Sequence, residues 1–141
     1  MLVLDANIAV KLVCIEPGYR ETLARLQSEE ELVAPDWVMI EAGHAIKRKS
    51  LNGDFDKLEA ERLLESIPSF FETLYRDGQF VKAAMAVSFE LDHWIYDCIY
   101  LACALDLGAP LLTADRKFWN AAKRAGYGKS VELLTWPGQK A

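Results

Sequence analysis

Short apolar runs alternate along this chain with longer stretches of helical periodicity. Leu2–Leu4, "ELVAP" closed by Pro35, "PLLT" at 110–113 and "SVELL" at 130–134 read as buried strands, being brief, apolar and bounded by turn residues. "SFFETLY" at 69–75 reads as an edge strand. Between them the spacing predicts helices from Asn7 to about Cys14, ended by "EPG", and from Tyr19 to about Glu29. A helix over Asp36–Ser50 carries Val38, Ala42, Ala45 and Ile46 on one stripe, with Lys47, Arg48 and Lys49 at its negative end. "NG" at 52–53 stops it, and Asp54 is placed to cap the next helix, which runs to about Ser66. Further helices are expected from about Gln79 to Leu91, through Asp97 to Leu107 with Gly108 closing it, and from Asp115 to Ala125.

Strands alternating with helices imply an α/β fold: a mostly parallel central sheet covered on both faces, with ligands gathering at the carboxyl ends of its strands. No repeat, low-complexity tract or Pro/Gly/Ser-rich linker divides the 141 residues, so residues 1–141 are expected to form a single domain. No apolar run is long enough for a membrane span, and "MLVLDANIAV" lacks the basic start and cleavage site of a signal peptide. Cys14, Cys98 and Cys103 are odd in number and sit among apolar residues, the pattern of reduced buried thiols in a cytoplasmic protein. Only two histidines, at 44 and 93, make a His/Cys zinc site a poor fit.

Against this apolar background the acids stand out. From Trp94 to Leu105 every residue except Asp97 is apolar or aromatic, and a lone buried carboxylate costs several kcal/mol unless it is paired, capped or bound to a cation. Asp5 ends the first strand, with Asn7 just after it. Glu41 falls on or beside the apolar stripe of its helix, and Asp115 follows "LLTA". Each has a simpler reading: Asp5 and Asp115 as helix caps, Asp97 as a cap if its helix begins at Cys98, Glu41 at the edge of its stripe. Four acids at strand ends or on buried helical faces nevertheless form a pattern. Carboxylates crowded together repel, and a hard divalent cation, Mg²⁺ or Mn²⁺, is the natural neutraliser. The net charge of −5, unusual for a protein that binds nucleic acid, is less discouraging if several acids serve one cation.

"LDAN", "APDWVMIEAGHAI" and "YDCIYLACALDLGAPLLTADRKF", in that order over essentially the whole chain, resemble the PIN-domain ribonucleases, most closely the VapC toxins of bacterial toxin–antitoxin pairs. The resemblance implies a three-layer α/β/α fold and an acidic centre in which Asp5, Glu41, Asp97 and Asp115 hold one or two Mg²⁺ or Mn²⁺ ions, supported by Asn7 and Thr113. A divalent ion so held makes an activated water available near neutral pH for in-line attack on an RNA phosphodiester, leaving 5′-phosphate and 3′-hydroxyl ends. The bulky "HWI" before Asp97 is a modest departure from the family pattern.

RNA affinity requires cations around such a centre, and Lys47, Arg48, Lys49, Arg116 and Lys117 are the candidates, with Trp119 or Tyr19 for base stacking. The resemblance further implies a homodimer and a cognate antitoxin whose tail blocks the site. Two rivals remain at this level. One is a PIN-like module that binds RNA or protein without cutting. The other is an aspartyl-phosphate phosphotransferase with Asp5 as nucleophile, disfavoured because such enzymes carry a second Asp where this chain has Asn7.

Overall fold

The computed structural model describes residues 1–29 and 31–141. Among these, five strands form one sheet: β1 (Leu2–Leu4), β2 (Leu32–Pro35), β3 (Thr73–Tyr75), β4 (Leu111–Thr113) and β5 (Val131–Leu133), in the order β3-β2-β1-β4-β5. Every pairing is parallel. Seven α-helices among the described residues cover it: α1 (Ala6–Val13), α2 (Tyr19–Leu26), α3 (Trp37–Leu51), α4 (Lys57–Ser66), α5 (Val81–Leu91), α6 (Ile95–Leu107) and α7 (Arg116–Arg124). This is a three-layer α/β/α arrangement.

The layers follow from strand alternation. In β1, Val3 faces a core that includes Leu111 and the buried residues of α5 and α6. Leu2 and Leu4 face the other way, packing with Ile8 of α1, Leu26 of α2 and Leu112. Helix α6 is buried almost all round from Cys98 to Ala104, so its sequence shows no polar face. It lies against β1, β2 and β4 and is covered in turn by α5. Gly108, at φ +64, closes α6 as the "LG" pair predicts.

Several boundaries move. Asp54 does not cap α4; Asp56 does, its side chain accepting from the Glu59 amide at 2.9 Å. The spacing explains it, because Asp56-Lys-Leu-Glu59 is the Asx-x-x-Glu arrangement that a helix start favours. In "SFFETLY" only Thr73–Tyr75 forms the strand, since Ile67–Phe70 makes a 3-10 turn with Pro68 near its start. The remainder is the edge strand expected. A second 3-10 turn at Asp77–Gln79 delays α5 to Val81. Helix α1 begins at Ala6 and α2 ends at Leu26. Cys14, Cys98 and Cys103 are free and buried. No helix of the described residues is long and apolar enough to cross a membrane.

The topology settles where a site can form. The chain runs outward from β1 through β2 to β3, then returns to the other side of β1 for β4 and β5. The strand order therefore reverses between β1 and β4, opening a crevice at their carboxyl ends.

Candidate functional site

Register places the first two site residues side by side. Leu4 pairs with Leu112, so the next residues along, Asp5 just past β1 and Thr113 at the end of β4, stand together at that crevice. The Thr113 hydroxyl donates to Asp5 Oδ2 at 2.6 Å, and Asn7 Nδ2 donates to the same oxygen at 3.0 Å. Asn7 Oδ1 accepts from the Ala114 amide at 2.9 Å, and Thr113 Oγ1 accepts from the Asp115 amide at 3.1 Å. These contacts tie the end of β1 to the turn after β4. Asp5 occupies the cap position of α1 but its side chain makes no capping bond, so the capping reading does not account for it. Asp115 does cap, accepting from the Phe118 amide at 3.0 Å through Oδ1.

Glu41 and Asp97 arrive from the helices. Helix α3 leaves the carboxyl end of β2, which keeps Glu41, in its second turn, near the crevice. Helix α6 returns the chain to the start of β4, so its amino end, with Asp97 in the first turn, lies at the same edge. Asp97 is inside the helix and does not cap it. Its partner is His93, whose Nε2 lies 2.6 Å from Asp97 Oδ2. Glu41 is held from both sides, by the Trp37 indole N–H at 2.8 Å and the Tyr100 hydroxyl at 3.1 Å.

Asp5, Glu41 and Asp97 line one cleft of ≈ 640 Å³. Asp115 lies across from Asp97: ligand atoms of His93, Asp97 and Asp115 fall within 4.8 Å of one another. The electrostatics agree that all four acids share one field. Burial raises the Asp5 carboxyl to about 7; the Thr113 hydrogen bond opposes this, and the charges of Asp97, Glu41 and Asp115 add to it. Burial likewise raises Glu41 and Asp97, against the hydrogen bonds from Trp37 and His93 respectively. Crowded, part-buried carboxylates with free oxygen lone pairs are the donor set a hard divalent cation takes. The residues fit such an ion.

Asn7 and Thr113 thus stand within the polar network. The cationic candidates divide. Arg48 continues the face of α3 beyond Glu41 and His44, beside Ala45 on the cleft wall. Lys47 lies on another face of α3, beside α4, and Lys49 is paired with Glu16 near Cys14. Arg116 follows Asp115, its Nε buried and without a hydrogen-bond partner among the described residues. Lys117 borders a small hollow with His93 and Trp94. Of the stacking candidates neither lines the cleft: Trp119 is half-buried under Lys123, 4.1 Å from its ring, and Tyr19 is half-buried beside Arg20.

The fold has a known counterpart, for the PIN domain model matches residues 2–124. The chain belongs to the PIN domain family. Among curated relatives, the Pyrobaculum aerophilum protein named Ribonuclease VapC3 is 27% identical over 118 residues, covering 82% of this chain and 90% of that one. Ribonuclease VapC1 of Mycobacterium tuberculosis is 27% identical over 117 residues, covering 82% and 86%. The crystal structure of PAE2754 from Pyrobaculum aerophilum superposes with a TM-score of 0.71 at 23% identity, over 94% of this chain and 88% of that one. VapBC2 from Rickettsia felis, solved with a DNA fragment from its promoter, gives 0.60 at 17% identity, over 95% and 98%.

Within this PIN domain, sequence reasoning passed over the residues that hold the acids. Trp37 and His93 each stand four positions before the acid they contact, a spacing that puts side chains on one helical face. That signal was legible for Trp37 in α3. For His93 it was weaker, because the residue precedes its helix. Tyr100 carries no local signal, being 59 positions from Glu41. The aromatic rim was also missed: Trp94 is 77% exposed and Tyr96 55%, and Tyr96 stacks on Trp37 at 5.7 Å across the cleft mouth.

Proposed function

We propose that this chain is a metal-dependent endoribonuclease, the toxin of a toxin–antitoxin pair, with residues 1–141 acting as one nuclease domain. The observation that carries this is the meeting of Asp5, Glu41, Asp97 and Asp115 at the β1–β4 crevice, in a chain whose curated relatives are named as VapC ribonucleases. Asp5, Asp97, Asp115 and Glu41 would hold one or two Mg²⁺ or Mn²⁺ ions, which supply an activated water and stabilise charge on the departing oxygen. Thr113 and Asn7 fix Asp5, and Trp37 and Tyr100 fix Glu41, so the carboxylates are oriented before any ligand arrives.

The cleft mouth favours unpaired RNA. Trp94 and Tyr96 are exposed flat rings beside the acids, and stacking on aromatics is how single strands are commonly held. Arg48, Arg116 and Lys117 are the best-placed phosphate contacts. Lys47 faces α4, and Lys49, beside Arg48, is held by Glu16. A homodimer, a cognate antitoxin and a cytoplasmic setting complete the reading, the antitoxin supported by the VapBC2 neighbour.

Two observations weigh against the rivals. Where a phosphotransferase carries its second acid this chain has Asn7, whose Nδ2 donates to Asp5 Oδ2 and cannot serve as an acid–base carboxyl. A module that only bound RNA would have no need of four acids oriented by such a set of donors. The test is cleavage of a panel of structured and unstructured RNAs with Mg²⁺, Mn²⁺ or EDTA, beside Asp5→Asn and Asp97→Asn proteins. Metal-dependent cutting absent from both variants is expected. Cutting by folded Asp97→Asn protein, or cutting in EDTA, would overturn the reading.

A further inference from the structure

We propose that His93 is a ligand of the divalent cation, adding an imidazole nitrogen to the oxygens of Asp97 and Asp115 and so biasing the centre from Mg²⁺ towards Mn²⁺. The inference rests on the reading that this acidic centre takes a divalent cation. It concerns which atoms of this chain hold the ion.

The placement of His93 is highly determined. It lies in the turn between α5 and α6, just after Asp92, whose φ of +49 bends the chain back. Ser88 grips its backbone twice: the His93 amide donates to the Ser88 carbonyl at 3.1 Å, and the Ser88 hydroxyl donates to the His93 carbonyl at 2.6 Å. The ring meets the fully buried Phe118 edge-on, at 5.1 Å between centroids and 67°. Phe118 belongs to α7, the helix that Asp115 caps. The fold therefore clamps the imidazole with Nε2 against Asp97 and a ring nitrogen within 4.8 Å of Asp115.

The distances suit a shared ion. Opposite donors on an octahedral cation with bonds of about 2.1 Å stand about 4.2 Å apart, and the three ligand atoms fall within 4.8 Å, so closing on one ion asks for a shift of about half an ångström. Nε2 and Asp97 Oδ2 are in hydrogen-bond contact at 2.6 Å. Adjacent ligands on such an ion stand about 3 Å apart, so the pair must part by only a few tenths of an ångström to hold one together. Imidazole suits the borderline transition ions better than Mg²⁺, which takes oxygen and dehydrates reluctantly. The competing account makes His93 only an orienting donor to Asp97, with all metal bonds from oxygen.

Pulsed electron paramagnetic resonance on the full chain loaded with Mn²⁺ alone separates the two, because a bound imidazole leaves nitrogen modulation on the manganese echo. The chain has two histidines, and His44 also lines the cleft, so both are varied. His93→Gln keeps an N–H able to donate to Asp97, which preserves the orienting role while removing the imidazole. Expected are nitrogen modulation in the wild type and in His44→Gln, its loss in His93→Gln, and calorimetric Mn²⁺ affinity in His93→Gln reduced on the order of 10–100-fold with little change for Mg²⁺. Tight Mn²⁺ binding without nitrogen modulation in the wild type, or modulation that survives in His93→Gln, would overturn the assignment while leaving the metal-dependent reading intact. Failure of the wild type to bind Mn²⁺ or Mg²⁺ would overturn both.

Discussion

The Thr113 hydroxyl donates to Asp5 Oδ2 at 2.6 Å across 108 positions of sequence, joining the carboxyl ends of the two strands between which the sheet reverses direction. Thr113 is fully buried, and its oxygen also accepts from the Asp115 amide. One hydroxyl therefore ties the Asp5 carboxylate to the backbone of Asp115.

Thr113→Val keeps the shape and β-propensity of the side chain but leaves Asp5 short of a donor and the Asp115 amide without its acceptor. Buried groups stranded in this way cost about 1–3 kcal/mol each, so a loss on the order of 2 kcal/mol is expected in urea unfolding, with divalent-ion affinity reduced about tenfold or more. Unchanged ion affinity in calorimetry would show that Thr113 does not orient the acids.

Without metal, Asp5 should make the protein less stable as pH rises. Its carboxyl lies near 4 when unfolded and about 7 when folded, chiefly through burial, so between those values the folded state holds the extra proton. Stability then falls as pH climbs through that window. Thermal melts in EDTA should drop from pH 4.5 to 7.5, and Asp5→Asn should flatten that slope and gain on the order of 2 kcal/mol at pH 7.5. A wild-type melt that rises across this interval would contradict it.

Trp94→Ala removes a ring that is mostly in water, so stability should change by no more than about 0.5 kcal/mol. If the ring stacks an RNA base, affinity for an unpaired oligonucleotide should fall roughly 5–100-fold, with little effect on a duplex. Fluorescence titration with non-cleaving Asp5→Asn protein as background reads this directly. Equal affinity with and without Trp94 removes the ring from the RNA path.

Helix α4 offers a test of its cap. Asp56→Ala should cost about 1 kcal/mol, whereas Asp54→Ala should cost little, since only the Asp56 side chain accepts from the Glu59 amide. Chemical denaturation of the two variants side by side is sufficient.

Local pattern determined a great deal here. The apolar runs at Leu2–Leu4, Leu32–Pro35 and Leu111–Thr113 declared buried strands, and their alternation with helices declared a parallel sheet, because only helical crossovers return a chain to start a parallel neighbour. Asp97 stood out as a carboxylate in an apolar helix, which demands a partner whatever the fold. The Asp56 cap was also legible, in its Asx-x-x-Glu spacing, and Pro68 marked the 3-10 turn that shortens β3 to Thr73–Tyr75.

What only the tertiary structure decided is who meets whom. Asp5 reaches Thr113 because β1 pairs with β4 in one register, and Glu41 meets Tyr100 because α3 and α6 converge on the same sheet edge. His93 faces Asp97 because Asp92 turns the chain and Phe118 supports the ring. Sequence periodicity reports which side of an element is buried, through solvent. It carries no information about which distant side chain shares that burial, since such contacts depend on strand order and crossover path.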